Sequence, residues 1–256
     1  MEQGIEQVKS MLVVMKFGGS SLADRDKIFR AARRCAKAHE QGKKVIVVLS
    51  AMGNTTDELL EQAAMIHPNP LPRELDMLLA VGEQISAAFM ALALQNLGIP
   101  AISLNAFQVK IKTTNNYGNA RIIGIDKRRI KRELASGKIV LITGFQGVNK
   151  YNDYTTLGRG GSDTSAVAMA AAFHAEKCEI YTDVDGVYTE DPNKSVHARK
   201  LNTMTYDEML VLAKSGAQVL EKRAVEMAKK YQILLEVKSS QTDENGTLIG
   251  KKKTSD

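Results

Sequence analysis

Four clusters of residues have types and spacing that could do chemistry. The first is Lys16-Phe17-Gly18-Gly19-Ser20-Ser21, directly after a short apolar run. Adjacent glycines let backbone N–H groups approach a phosphate, while the lysine supplies positive charge. A structural turn would explain the glycines but not a lysine at the end of a strand expected to be buried. The order GxxxxGK[ST] is absent, so the fold of P-loop nucleotide enzymes is not implied. The second cluster, Thr156 to Ser165, spells TLGRGGSDTS and runs into the alanine-rich segment Ala166 to Ala172. Glycines at a helix N-terminus expose backbone donors to an anion, and Arg159 adds a planar fork matched to a carboxylate. Ser162 and Asp163 would also cap the helix, but capping does not call for the arginine.

The third cluster is YTDVDGVYTEDP, Tyr181 to Pro192, an acidic, glycine-bearing loop after a strand. In an open parallel sheet such carboxyl ends line the ligand crevice. Asp185-Gly186 also reads as a plain turn, and D-x-D-G lacks the remainder of an EF-hand calcium loop. The fourth is Glu83, within VGEQIS in an otherwise apolar helix, four residues after Leu79 and so at the edge of the apolar stripe. A solvated glutamate is the commoner reading of such a position.

These clusters need a frame to hold them. Short β-branched runs, Leu12 to Phe17, Val45 to Ser50, Ala101 to Leu104, Ile139 to Thr143, Glu179 to Thr182 and Ile233 to Val237, read as strands. Helical patterns run from Asp24 to Gln41, Leu75 to Leu97 and Asp126 to Ser136, each followed by glycine, with two more near Thr205 to Lys214 and Ala217 to Tyr231. Pro68, Pro70 and Pro72 mark a surface loop. That rhythm predicts an α/β fold, a mainly parallel sheet with helices on both faces, as one domain whose two lobes divide near residue 150.

Composition narrows the classes. With 256 residues, 44% of them hydrophobic, the chain can bury a substantial core. The net charge of +6 owes half its excess to Lys251, Lys252 and Lys253, there is no tryptophan, and no basic stripe is interleaved with aromatics. Nucleic-acid binding is therefore not expected. The apolar run Leu12 to Met15 is too short for a signal segment or a membrane span, which places the expected location in the cytoplasm and away from membranes. Cys35 and Cys178 have no partner at metal-ligand spacing, and the four histidines are scattered, so neither a zinc site nor a Ser/His relay is expected.

Taken in order, KFGGSSLAD at 16–24, SAMGNTTDELL at 50–60, VGEQIS at 81–86, YGNARI at 117–122, GFQGVN at 144–149, TTLGRGGSDTSA at 155–166 and YTDVDGVYTEDP at 181–192 resemble the aspartate kinase branch of the amino-acid kinase family. The resemblance covers roughly residues 11–250, leaving 1–10 and 251–256 as tails. It implies a three-layer α/β/α sandwich with a mainly parallel central sheet, an aspartate-binding lobe over about 11–150 and a nucleotide-binding lobe over about 151–250. It implies Mg-ATP and L-aspartate as the small-molecule partners, with Mg2+ held by no direct side-chain ligand. Lys16 would meet the transferring phosphoryl group, with Gly18, Gly19 and Ser20 as its cradle. Ser50, Thr56, Glu83, Arg159, Gly160 and Ser162 would contact aspartate, Glu83 through its amino group and Arg159 through its α-carboxylate. Asp163 would order the charges at the centre, Lys16 among them. Thr182, Asp183, Tyr188 and Lys194 would serve the nucleotide.

The sequence departs from the family pattern at three places. Asn193 and Lys194 stand where many relatives carry an arginine after Asp-Pro, and Gln218 stands where many carry lysine; both changes are expected to weaken ATP use. After Gly246-Thr247-Leu248-Ile249-Gly250 the family normally continues into paired ACT regulatory domains, so the sequence is either a truncated piece of a longer protein or a naturally unregulated form. In the second case no direct feedback inhibition by lysine or threonine is expected, and the oligomeric state stays open, with a homodimer or a regulatory subunit as the options. Two rival readings follow: an amino-acid kinase with another acceptor such as N-acetylglutamate, glutamate or UMP, and a catalytically weak subunit. Glu83 argues against an N-acylated acceptor, because a carboxylate suits a free ammonium.

Overall fold

The computed structural model describes residues 11–190, 195, 197–214 and 219–251. Along the chain the elements are β1 (Leu12–Phe17), α1 (Arg25–Glu40), β2 (Lys44–Leu49), α2 (Thr55–Ile66), α3 (Pro72–Asn96), β3 (Ala101–Leu104), β4 (Ile111–Thr113), β5 (Ile122–Ile125), α4 (Lys127–Ala135), β6 (Ile139–Thr143), β7 (Gln146–Val148) and β8 (Tyr154–Thr156). There follow α5 (Gly161–Phe173), β9 (Lys177–Thr182), β10 (Val187–Tyr188), β11 (Lys200–Leu201), β12 (Thr203–Thr205), α6 (Tyr206–Lys214), α7 (Lys222–Tyr231), β13 (Leu235–Ser239) and β14 (Thr247–Gly250).

Eight strands form the central sheet in the order β12-β14-β13-β9-β1-β2-β6-β3, parallel at every pairing except β13 with β14. Strands on both sides of residue 150 share it. The alternation of side chains along each strand divides the core into two layers. Val13, Met15 and Phe17 of β1, with Val45, Val47 and Leu49 of β2, pack with Ile28 and Cys35 of α1 and Met90 and Leu94 of α3. Leu12 and Val14, with Ile46 and Val48, pack on the opposite face with α4, α5, α6 and α7, through residues such as Ile130, Val167, Met209 and Val225. Helices on both faces of one mainly parallel sheet make the three-layer α/β/α sandwich that the sequence predicts. Both cysteines are free and buried, and burial pushes their thiols up, away from reactivity.

The ends of several elements differ from the sequence reading for local reasons. Asp24 caps α1 by accepting from Lys27 N, and Asp126 caps α4 by accepting from Arg128 N, as their types suggest. Pro72, read as part of a loop, instead opens α3 at its first turn, where a missing N–H costs nothing. α5 begins at Gly161, inside the glycine run and well before the alanines. α7 begins at Lys222, whereas the first residues of the expected helix, Ala217 and Gln218, lie outside the described residues. A second sheet, β5-β4-β7-β8, flanks the first and has no counterpart in the sequence reading.

α3 is by length and composition apolar enough to cross a membrane. In this fold it packs against the sandwich and carries Asp76 and Glu83 on its inward face, 1% and 2% exposed. Gly82 permits the approach, since a Cβ there would lie 2.8 Å from that of Ala51.

Candidate active site

Parallel strands deliver their carboxyl ends to one edge of the sheet, and the sequence clusters meet there. β1 ends at Lys16-Phe17, and the alternation that turns Met15 toward α1 turns Lys16 toward α5. Its Nζ reaches Asp163 Oδ1 at 2.7 Å, both side chains nearly buried. The ion pair fixes the ammonium at the wall of the cavity that Lys16 lines. Asp163 is held from the other side by Glu221 N at 3.4 Å.

The turn after β1 is folded tightly onto its neighbours. Gly18 N donates to Tyr181 O at 3.2 Å, and Gly53 N donates to Gly19 O at 2.9 Å. A side chain at Gly19 would strike Ala51 O and Gly53 O, each 2.8 Å from a Cβ. Ser20 follows, exposed.

Beside this turn a cavity of about 490 Å3 opens, lined by Lys16, Gly19, Ser50, Thr56, Glu83, Arg159, Gly160 and Ser162 among others. Every residue that the resemblance implies for the acceptor therefore faces one space. Ser50 ends β2, Thr56 stands in the first turn of α2, and Glu83 projects from α3. Glu83 Oε1 accepts from Ala51 N at 3.1 Å, while its Oε2 is buried without a partner. Burial pushes the Glu83 carboxyl up to about 7, partly offset by backbone hydrogen bonds, that from Ala51 N among them, and by the nearby Gln146 amide, which lies outside good hydrogen-bond geometry to Oε2. The helix glutamate is thus a desolvated carboxylate with a vacant acceptor atom, and not the solvated residue that pattern alone favours.

Arg159 sits between Gly158 and Gly160, whose φ values of +81° and +63° place both in the left-handed region. Two such residues swing the arginine out of the path of α5 while the backbone enters the helix. At Gly160 a Cβ would also lie 2.4 Å from the Glu221 side chain. Ser162 fills a slot that Gly144 leaves, since a Cβ at Gly144 would lie 2.7 Å from Ser162 Oγ. Gly161 N and Asp163 N donate back to Gly158 O and Gly160 O, each at 3.0 Å, so it is the dipole of α5, together with Arg159, that makes this corner anion-attracting.

Thr182 ends β9 on the same sheet edge with Asp183 just after it, Tyr188 stands in the separate β10-β11 ribbon, and none of the three lines the cavity. Ser240 N donates to Thr182 O at 2.8 Å, and Thr182 Oγ1 donates to Asp183 Oδ1 at 2.9 Å. Tyr188 OH donates to Asp185 Oδ1 at 2.9 Å, and Asp185 pairs with Lys200 at 3.2 Å. Lys194, Asn193 and Gln218 lie outside the described residues. Among the described residues, no three His, Cys, Asp or Glu side chains converge as a metal cage.

Several residues of this site escaped sequence reasoning. Asp76, buried on α3, accepts from Gly118 N, from Thr156 N and from Thr156 Oγ1, the last at 2.7 Å. It ties the Tyr117-Gly118-Asn119 turn and the end of β8 to the helix that carries Glu83. Arg223 of α7 closes the same seam, donating to Leu157 O at 3.2 Å and to Asn119 Oδ1. Phe145, which lines the cavity, holds φ +65°, unusual for a bulky residue and fixed by Leu157 N donating to its carbonyl at 2.8 Å. The available signal was that Asp76 precedes Glu83 by seven residues, two helical turns on one face.

The amino acid kinase family matches residues 11–239. An aspartokinase of Bacillus sp. (strain MGA3) is 52% identical over 93% of this chain and 58% of its own length. An aspartokinase of Mycobacterium tuberculosis (strain ATCC 25618 / H37Rv) is 52% identical over 93% of this chain and 57% of its own. The chain thus spans a little over half the length of these curated relatives. Among solved structures, aspartate kinase from Synechocystis superposes with a TM-score of 0.85 at 45% identity, covering 96% of this chain and 40% of that one. E. coli aspartokinase III in complex with aspartate and ADP gives 0.84 at 26% identity, covering 94% and 65%. A UMP kinase from Bacillus anthracis, 17% identical, shares the fold with a TM-score of 0.68 over 94% of this chain and 96% of its own. With the sandwich, the strand-edge cavity and these matches in agreement, this chain belongs to the amino acid kinase family.

Proposed function

We propose that this chain is the catalytic domain of an aspartate kinase, transferring the γ-phosphoryl group of ATP to the β-carboxylate of L-aspartate. The observation that carries the reading is the pair of opposite charges offered by one cavity: the buried Glu83 carboxylate with its vacant Oε2, and the Arg159 guanidinium. A free α-amino acid presents an ammonium and a carboxylate to match. An N-acylated acceptor or a nucleoside monophosphate would leave Glu83 buried and uncompensated. The 52% identity to aspartokinases supports the same acceptor.

The chemistry needs little beyond positioning. A β-carboxylate, with an unperturbed pKa near 3.9, is already an anionic nucleophile at neutral pH, so no general base is required. The barrier comes from bringing two anions together and from charge on the transferring group. Glu83 takes the ammonium, Arg159 the α-carboxylate, and Ser50, Thr56, Gly160 and Ser162 shape the floor that aims the β-carboxylate at Lys16. Lys16, oriented by Asp163, neutralises the phosphoryl oxygens beside the Gly18-Gly19 turn, in which Gly18 N is not a phosphate donor as the resemblance implies but is given to Tyr181 O. Thr182, Asp183, Tyr188 and Lys194 serve the nucleotide. Mg2+ fits this centre as a cation carried on the ATP phosphates, since Asp163 is engaged with Lys16 and no acidic cage is present among the described residues. When bound it supplies further charge neutralisation.

The test is ATP- and Mg2+-dependent hydroxamate formation with L-aspartate, beside L-glutamate and N-acetyl-L-glutamate, since hydroxylamine traps an acyl phosphate. Product with aspartate alone is expected. Product only with another acceptor, or ATP binding without any product, would overturn the proposal.

A further inference from the structure

The flanking sheet β5-β4-β7-β8 carries a separate cavity of about 380 Å3, which shares no lining residue with the acceptor cavity. Lys110, Lys112 and Lys150 stand around it, and no Asp or Glu lines it. Cations nearby are paired, Arg73 with Asp153 and both Arg129 and Lys138 with Glu133. Among the described residues no carboxylate pairs with any of the three lysines. Asp126, whose charge reaches Lys110, is taken by Arg128. Lys150 leans on the Tyr151 ring, 4.9 Å from its centre. Lys110 holds φ +46°, a left-handed backbone that glycine adopts without strain and that costs another residue about 1 kcal/mol. What lysine adds at that turn is its side chain, at the cavity.

We propose that this cavity binds a phosphate monoester with an apolar or aromatic body. Three ammonium groups exceed what one carboxylate would neutralise, whereas a phosphate monoester brings nearly two charges and three acceptor oxygens at neutral pH. Lysine is a point charge suited to phosphate, and the cavity has no guanidinium to fork a carboxylate. Phe107 and Ile123, 38% and 68% exposed, and Val148, buried beneath, offer the body an apolar surface. The turn that carries Lys150 and Asn152 is set in advance, because Asn149 Oδ1 accepts from Tyr151 N and Asp153 N while its Nδ2 donates to Tyr117 OH. Such preorganisation lowers the cost of ordering the site around a ligand.

The same turn is tied to the acceptor cavity. Asp153 accepts from Arg73 of α3 at 2.9 Å and from Tyr117 OH at 2.8 Å. Thr113, which lines the lysine cavity, has Oγ1 2.6 Å from that of Thr155, and the next residue, Thr156, lines the acceptor cavity. A ligand clamped between Lys112 on β4 and Lys150 on the turn therefore braces one wall of the acceptor cavity, and should lower KM for aspartate. This consequence rests on the aspartate kinase reading; the binding does not.

The test is titration calorimetry of the whole chain with phenyl phosphate, beside inorganic phosphate and benzoate. Saturable binding of phenyl phosphate is expected, with a Kd below about 1 mM. The triple variant Lys110→Ala, Lys112→Ala, Lys150→Ala, altered only at exposed positions, should stay folded by circular dichroism and bind at least tenfold more weakly. Binding at the nucleotide rim would survive that variant, so equal affinity in it would overturn the proposal, as would no saturable heat from the wild type. Inorganic phosphate binding as tightly as phenyl phosphate would overturn the apolar half of the site, and benzoate doing so would overturn the phosphate half. In the hydroxamate assay, saturating phenyl phosphate should lower KM for aspartate at least twofold in the wild type and not in the triple variant. Binding without that shift would overturn the link to the acceptor cavity. Calorimetry is run without substrates, so failure of the site is distinguishable from failure of the aspartate kinase assignment.

Discussion

Two regions meet at the carboxyl edge of the sheet and are built on different terms. The cavity between β2, α3 and α5 is walled by helices, sealed by Asp76 and Arg223, and holds one carboxylate so desolvated that half of it lacks a partner. The rim formed by Thr182, Asp183 and Tyr188 is made of short-range pairs between half-buried and exposed groups, Thr182 with Asp183 and Tyr188 with Asp185. On the proposed aspartate kinase function, the contrast matches what each side must do. A small acceptor offers few atoms, so selectivity has to come from buried charges whose mismatch is costly. A nucleotide offers many atoms and a large charge, and can be held by numerous weak contacts.

Lys16 lines the cavity where the proposed transfer would occur, and its loss should have the largest effect. Lys16→Ala is expected to lower kcat by at least about 10²-fold, since it removes charge stabilisation that grows toward the transition state. KM for aspartate and for ATP should change far less than kcat. A kcat within tenfold of wild type, measured in a coupled ADP assay, would refute that role.

Glu83→Gln tests the buried side alone. KM for aspartate is expected to rise about 10²-fold, with KM for ATP unchanged, because an amide cannot compensate the ammonium. The pH dependence follows from the same burial. The carboxyl titrates near 7 in the folded chain against an ordinary 4.5, so below about pH 7 it is protonated and aspartate loses its counter-charge. kcat/KM for aspartate should therefore fall as pH drops through 7 in the wild type and stay flat in Glu83→Gln. For stability the sign is opposite to that of a salt-bridged acid. The group's contribution is full below about 4.5 and is lost as pH rises to about 7. Glu83→Gln should consequently stabilise the ligand-free fold at pH 8, by up to about 3 kcal/mol, as read by urea denaturation. A destabilised variant would show that the carboxylate is less strained than its surroundings imply.

The same two regions explain what could be read from sequence. The six strands read from sequence and the capped helices α1 and α4 were legible because period, β-branching and capping are local signals. Lys16, Gly19, Arg159, Gly160 and Ser162, which line the cavity, were legible because a lysine before a glycine pair and an arginine inside a glycine run have no economical structural use, whereas Ser50 and Thr56 came only from the resemblance. Burial of Glu83 was not legible. It depends on Gly82 letting α3 approach Ala51, a contact across 31 residues. Nor was the flanking sheet, whose strands are three or four residues long and take their meaning from pairings such as Lys112 with Val148. Asp76 was hidden for a related reason: its partners are backbone N–H groups 42 and 80 residues away.

Asp76→Asn should produce the next smaller effect. The amide keeps one acceptor but turns N–H donors toward Gly118 N or Thr156 N, costing about 1–3 kcal/mol where a buried donor loses its partner. Because Asp76 touches no reacting atom, the loss should appear as a roughly tenfold higher KM for aspartate with a smaller change in kcat, together with a lower Tm. Asp76→Glu should not rescue it, since the longer side chain cannot meet both segments from the same point on α3. A fall confined to Tm, with kinetics at the wild-type level, would mean that the seam only supports the fold.

Tyr188→Phe should have the smallest effect and bears most directly on the contrast. The hydroxyl donates to Asp185 in a half-buried setting, and Asp185 keeps Lys200 as a partner when that donor is removed. Loss of one such hydrogen bond is worth about 0.5–1.5 kcal/mol, or about 2- to 10-fold. The change should fall on KM for ATP and leave KM for aspartate as it was. If aspartate binding moved instead, the rim and the cavity would be one coupled unit, and the division between a stiff acceptor side and a tolerant nucleotide side would have to be given up.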